Sequence, residues 1–315
     1  MAISGSRKAI VAAMLANAGI AVAKFTAYLF TGSASMLAES IHSVADTSNQ
    51  GLLILGGRRA ERIADDEHQF GYGRERYFWA FVVAMVLFSL GGVFSIYEGL
   101  EKIRQPHQLE AVAWAIGVLV AGIVLESFSF RTAIVEAEKV RGSMGWWQFI
   151  RTSRSPELPV VLLEDAGALI GMTLALFGVG MTTLTGNAIW DGVGTLSIGV
   201  LLVVIAIMLT IEMQSLLIGE AASEDHVRKI TDLVANHPSV SKVIDLKTQH
   251  IGPEELLVAG KVEFKRSLTM LGLSDVIDEV ETSLRAAVPL AMRIYLEPDL
   301  YDSDYRDSPP RTGDH

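Results

Sequence analysis

Glu39, His42, Asp46 and Asn49 stand three or four residues apart in the run AESIHSVADTSNQ, residues 38–50. At ~100° per residue that spacing puts all four on one stripe of a helix. The flanks, 34–37 and 51–56, are apolar enough to belong to a membrane span. An imidazole or carboxylate at bilayer depth is costly, so it marks a substrate or proton pathway. Histidine and aspartate on adjacent turns also make a ligand pair suited to a divalent metal such as zinc. The other reading of the stripe is polar glue, in which His, Asp and Asn hydrogen-bond across helices. Glu39 lies nearer the outer end and could orient His42 by accepting its ring N–H.

A second pair of acids stands in PVVLLEDAGALIG, residues 159–171. Glu164 and Asp165 fall within about two turns of a helix start, where packing alone does not explain them. A four-coordinate site needs ligands from more than one helix, and Asp165 facing His42 and Asp46 would complete three of the four. Glu164 points ~100° away on an ideal helix. It would be a fourth ligand after local distortion, or else a proton carrier or salt-bridge partner. A carboxylate pair facing a water-filled vestibule is the plainer alternative. Gly167 and Gly171 form a small-xxx-small face that lets this helix approach a neighbour closely.

The elements that must position these groups are legible from hydropathy. Half of the 315 residues are hydrophobic and 20% are charged, and mean hydropathy is +0.36. This composition fits a membrane protein with a soluble appendage. Segments 9–30, 36–55, 78–97, 112–130, 159–184 and 193–213 are each long enough to cross the ~30 Å hydrocarbon core. Residues 1–8 are too short for a separate targeting sequence, so the first apolar run reads as a span. Arg7, Lys8, Arg58, Arg59, Arg62, Arg74, Arg76, Arg131, Lys139, Arg141, Arg151 and Arg154 fall on one side, against Lys102 and Arg104 on the other. Positive residues mark the inner side, so both termini are expected to be cytoplasmic in a plasma or inner membrane. The stretch 142–150, with Trp146, Trp147 and Phe149, reads as an interfacial belt.

From residue 217 the pattern becomes soluble. A helix over 223–236, strands over 240–250 and 255–265, a helix over 273–287 and a strand over 292–296 give the order αββαβ of a compact ferredoxin-like α+β module. The expected division is therefore a six-helix membrane domain (1–216), a cytoplasmic domain (217–300) and a disordered tail (301–315). The series Asp299, Asp302, Asp304 and Asp307 reads as a solvated run. The net charge of −10 comes mostly from beyond residue 217, with 18 Asp+Glu against 11 Lys+Arg. That balance argues against nucleic-acid binding. The absence of cysteine excludes thiolate metal sites and disulfides.

Three motifs together carry a resemblance: GSASMLAESIHSVAD (32–46), HQFGYGRE (68–75) and LED (163–165). With six spans and the αββαβ tail, the chain resembles the cation diffusion facilitator, or zinc transporter, family. The runs HSVADTSNQ and LLED further resemble the branch whose animal members act in mitochondria. The resemblance implies a homodimer in membrane lipid that exchanges a divalent cation, typically Zn²⁺, for protons by alternating access. It implies no cofactor and no enzymatic reaction.

Carried over residue by residue, His42 and Asp46 match the family's ligand pair on the second helix, and Asp165 matches the last ligand on the fifth. The position four before Asp165 is Val161, which cannot bind metal. Glu164, Asn49 or water is expected to fill that place. Asp65 and His68 match part of a loop metal site, but Tyr72 stands where a second histidine often lies; a cap and turn is the alternative. Arg74 matches a basic residue that pairs with an acid after the sixth helix at the dimer interface, and Glu220 is its candidate partner. The tail positions that bind zinc in many relatives hold Ile244, Lys261 and Leu296. His237, His250 and His315 read as surface residues, so the tail is expected to dimerise without such a metal site.

Metal and protons would compete for His42, Asp46 and Asp165, with His42 the coupling group because imidazole titrates nearest neutral pH. The expected direction is out of the compartment that holds the tail. The alternatives are the same carrier for Mn²⁺, Fe²⁺ or Co²⁺, a metal-sensing scaffold without flux, and a membrane hydrolase, which lacks a His-Glu-x-x-His helix here.

Overall fold

The computed structural model describes residues 2–107 and 112–301, with side chains from Asn17 onward. The tail from 302, and the side chains of Arg7 and Lys8, lie outside the described residues. The chain divides into two compact units, Met1–Leu217 and Ile218–His315.

The first unit is helical. Its elements are α1 (Ala2–Thr31), α2 (Ala34–Ala60), α3 (Glu75–Val86), a π-helical segment (Leu87–Val93), α4 (Phe94–Arg104), α5 (Val112–Arg141), α6 (Trp146–Thr152), α7 (Glu157–Thr185) and α8 (Ile189–Ile218). Among the described residues, four rods are long and apolar enough to cross a membrane: Glu75–Arg104, α5, α7 and α8. The rod Glu75–Arg104 runs through α3, the π-helical segment and α4 without a break.

The observed helices depart from the hydropathy limits in physically informative ways. Helix α5 continues to Arg141, well past the expected end at residue 130. Its last turns are held by an apolar cluster of Ala133, Ala137, Phe149 and Leu162. The segment 142–150 is therefore not a simple interfacial belt. Phe149 turns inward and is 1% exposed, while Trp147 faces out. In the rod Glu75–Arg104, Leu87–Val93 forms π-helical turns, an irregularity that periodicity does not reveal.

Gly32, at φ 63°, adopts the left-handed backbone that closes the short link from α1 to α2. A different requirement holds where the rod Glu75–Arg104 meets α8. A Cβ added at Gly99 would lie 2.6 Å from the backbone N of Leu196, and one at Gly199 would lie 2.6 Å from the backbone N of Ile96. Only glycine allows the two backbones to come this close.

The second unit contains α9 (Glu224–Ala235), β1 (Val240–Gly252), β2 (Glu255–Phe264), α10 (Met270–Ala287) and β3 (Ala291–Pro298). The sheet order is β1-β2-β3. β1 and β2 are antiparallel, whereas β2 and β3 are parallel and joined through α10. Along β2, Leu256, Val258, Gly260, Val262 and Phe264 are buried and alternate with more open positions. Those buried strand residues pack with Ile230 and Val234 of α9 and Val276, Val280 and Leu284 of α10. One expectation needs correction. His250 is not a surface residue but is 2% exposed at the end of β1, where its backbone N–H donates to Glu220 O at 2.8 Å.

Adding a side chain at the α8 contact should be severe. Gly99→Val is expected to lower stability by about 3 kcal/mol, the upper end for overpacked cores. Gly117→Ala, where nothing lies within 4 Å of the added carbon, should not lower it. Thermal unfolding of the two variants in detergent checks the contrast.

Candidate metal centre

The depth and rotation of α2 are fixed at its first turn. Ser33 caps the helix by accepting from Met36 N at 3.3 Å. Asp191 of α8 reinforces that cap from outside. Its Oδ1 accepts from Ser33 Oγ at 2.7 Å, and its Oδ2 accepts from Ala34 N at 2.9 Å. An anion at a helix N-terminus satisfies backbone donors and complements the helix dipole. Lys102 Nζ lies 4.0 Å from Asp191 Oδ2 and donates to Gly32 O at 3.2 Å.

From this anchor the polar stripe of α2 faces inward. Glu39, His42 and Asn49 are each 0% exposed, and the Asp46 side chain is 14% exposed. Both ring nitrogens of His42, together with Asp46 Oδ1 and Asn49 Oδ1, are buried with no hydrogen-bond partner among the described residues. His42 Nε2 lies 3.5 Å from Asp46 Oδ2. The π-helical segment passes beside the imidazole, since a Cβ at Gly91 would lie 3.8 Å from His42 Nδ1. Buried polar atoms are nearly always partnered, so a row of free lone pairs on one helix face is the local signature of a binding function.

Glu39 does not orient His42 as expected. Its Oε2 accepts from Lys24 Nζ of α1 at 3.0 Å, and the same ammonium donates to Ser43 Oγ at 2.8 Å. Lys24 is 1% exposed. Two glycines make room for this pair: Gly171 of α7 lies against Glu39 Oε1, and Gly122 of α5 lies against the Lys24 side chain.

The two acids of α7 separate. Glu164 bonds to α2, where Asn49 Nδ2 donates to its Oε1 at 2.6 Å. Asp165 turns to α5, where Ser129 Oγ donates to its Oδ2 at 3.0 Å and the Glu126 side chain is a further hydrogen-bond partner. Both acids are buried. Asp46 lies within electrostatic reach of Glu164, Glu126, Lys24 and Asp165. The stripe and the acid pair thus share one interior. As placed, however, no three His, Asp or Glu side chains among the described residues close around a single ion position. Val161 packs with the apolar cluster under α6 and offers no donor atom.

The loop residues serve the turn. Asp65 Oδ1 accepts from His68 N at 2.7 Å, and its Oδ2 accepts from Tyr72 OH at 2.5 Å. The Tyr72 hydroxyl and then the His68 backbone N–H hold the Asp65 carboxyl below the usual carboxylate range. His68 Nδ1 stands 3.7 Å from Asp65 Oδ1. Arg74 sits at the start of α3 in the first unit, and Glu220 precedes α9 in the second.

Lys24, Glu126, Ser129 and Asp191 were not singled out by sequence reasoning. A signal existed for two of them. Lys24 is the one charged residue between Lys8 and Glu39, and Glu126 the one between Glu110 and Arg131. The test of ionisable groups at bilayer depth applies to both.

The cation efflux transmembrane domain profile matches residues 10–218. The mitochondrial proton-coupled zinc antiporter SLC30A9 of Mus musculus is 32% identical over 272 residues, which cover 86% of this chain and 47% of that protein. Metal tolerance protein C4 of Arabidopsis thaliana is 28% identical over 270 residues, covering 84% and 58%. The cation-efflux pump FieF of Cronobacter sakazakii is 26% identical over 286 residues, covering 90% and 89%. The chain thus spans about half the length of the mouse relative and nearly all of the bacterial one.

The buried ion pair predicts an asymmetric outcome. Lys24→Met strands the Glu39 carboxylate and should lower stability by about 3–5 kcal/mol. Lys24→Met with Glu39→Gln should recover most of that loss, as measured by thermal unfolding in detergent.

Proposed function

Because the chain belongs to the cation efflux family, we propose that it is a carrier that exchanges a divalent metal cation, Zn²⁺ first among them, for protons across a membrane. The observation that supports this most directly is His42. It is a fully buried imidazole with both ring nitrogens free, beside Asp46 and across from the acids of α7. An imidazole and carboxylates from two helices are a zinc-type donor set. Zinc and proton coupling are also in the name of the mouse relative.

His42, Asp46 and Asp165 hold the ion when their lone pairs are free and release it when protons take them. Asn49 and Glu164 hold each other across α2 and α7, and either can turn an oxygen toward the ion. In this reading α1, α2, the rod Glu75–Arg104, α5, α7 and α8 are the six spans, with both termini on the side of the arginine-rich loops. Metal leaves the compartment that holds the C-terminal sheet domain, through which the chain forms a homodimer. Exchange between the two faces follows from rocking of one helix group against another.

A second reading keeps the carrier and changes the cargo. One imidazole among Asp46, Asp165, Glu164 and Asn49 makes a shell rich in oxygen donors, which favours Mn²⁺, Fe²⁺ or Co²⁺.

Purified chain in proteoliposomes, loaded with a zinc indicator under an imposed pH gradient, provides the test. His42→Ala and Asp46→Ala should each reduce zinc/proton exchange at least tenfold while eluting as folded protein. Parent-level exchange by folded Asp46→Ala would refute the site.

A further inference from the structure

Helix α5 carries an acid that neither the family match nor the sequence reading assigns. Its buried positions are Ala115, Leu119, Gly122, Ala133 and Ala137. Glu126 and Ser129 continue that same three-and-four spacing between Gly122 and Ala133. They are therefore the polar interruption in the α5 stripe that packs on α7.

Contacts set the register of this antiparallel pair. Gly122 lies against Met172, with a Cβ-to-Sδ distance of 2.8 Å for an added carbon. Ser129 bonds Asp165 at 3.0 Å. Between those contacts, Glu126 falls opposite Ala168, which is small and 3% exposed. A neighbouring face of α7, ~100° around the helix, meets α2 in the same way, with Gly171 against Glu39 and Glu164 bonded to Asn49. That pairing brings His42 to the Ala168 level as well. His42 and Glu126 thus fall at one level of the bundle, on neighbouring sides of a small residue. Lys24 is an electrostatic neighbour of both.

One turn inward from Asp165, α7 carries Val161, and the α5 residue opposite it is Ala133. Both belong to the dry cluster with Phe149. The donor absent there reappears one turn outward, as Glu126, in hydrogen-bond contact with Asp165. Two carboxyls in contact cannot both be ionised unless a cation takes the place of the proton they share. The free nitrogens of buried His42 and the free Oδ1 of Asp46 independently mark this interior as built for a ligand.

We propose that Glu126 is a ligand of the transported ion, supplied by α5 in place of the side chain that position 161 lacks. The inference rests on the transport reading above. The ion is then held by three helices rather than two, with His42 and Glu126 at one level and Asp46 and Asp165 at the next.

Equilibrium Zn²⁺ and Mn²⁺ binding to the full chain in detergent, by competition with a chelating dye, tests it. Glu126→Gln keeps a donor for Asp165 but loses the anionic oxygen, and should weaken Zn²⁺ binding at least tenfold. Glu126→His should bind Zn²⁺ again and shift the Zn²⁺/Mn²⁺ preference at least tenfold toward zinc. A residue that merely positions Asp165 would be rescued by Gln and would leave the preference unmoved. Binding by Glu126→Gln within twofold of the parent, or an unchanged preference in Glu126→His, overturns the proposal. Asp46→Ala run alongside separates the two failures. If it loses binding while Glu126→Gln does not, only Glu126 is misassigned. If both bind as the parent does, the whole site is wrong.

Discussion

A charge placed in hydrocarbon must find its partner inside the bundle, and the Lys24–Glu39 pair is where this chain meets that demand most fully. The ammonium and carboxylate are 3.0 Å apart and out of contact with solvent. Such a pair adds little net stability, because desolvation offsets most of the attraction. What it supplies is geometry. Lys24 cannot leave Glu39 without stranding both charges, so the rotation of α1 and α2 about their axes is coupled. Gly122 and Gly171 give up side chains so that α5 and α7 can close over the same point. With Asp191 pinning the first turn of α2, little freedom is left in where His42 and Asp46 face.

Around that fixed point the polarity of the interior is graded. Toward the Gly32 end lies the neutralised pair. At the next levels come His42, then Asp46 with Asp165, and then the Asn49–Glu164 bridge. Beyond Val161 the interior is apolar again, sealed by Ala133, Ala137 and Phe149. The unpartnered atoms of His42, Asp46 and Asn49 thus lie between an ion pair on one side and a dry cluster on the other.

The α2 stripe was legible because four polar residues at helical spacing stand out against an apolar background. The second unit was legible because the hydrophobic period changes from helix to strand and back along residues 223–298. What escaped were groups whose meaning lies in a distant partner. Lys24 meets Glu39 after 15 residues, and Ser129 meets Asp165 after 36; no local period encodes either. Ideal geometry correctly separates Glu164 from Asp165 by about 100°. Which of them faces α2 depends on the rotation of α7, and that is set by glycine contacts with its neighbours. His250 was misjudged because the end of β1 is covered by the chain entering the unit, a tertiary fact with no sequence signature.

The glycine contact between the rod Glu75–Arg104 and α8 has a mechanical consequence. Side-chain interfaces can slip by exchanging rotamers, but backbone resting on backbone has none to exchange. At Gly99, Gly192 and Gly199 the two rods meet in this way, so they behave as one splint. In the carrier proposed above, any displacement between the two mouths of the pathway would be left to α1, α2, α5 and α7. The π-helical turns beside His42 would then be the bearing surface on which that quartet swings.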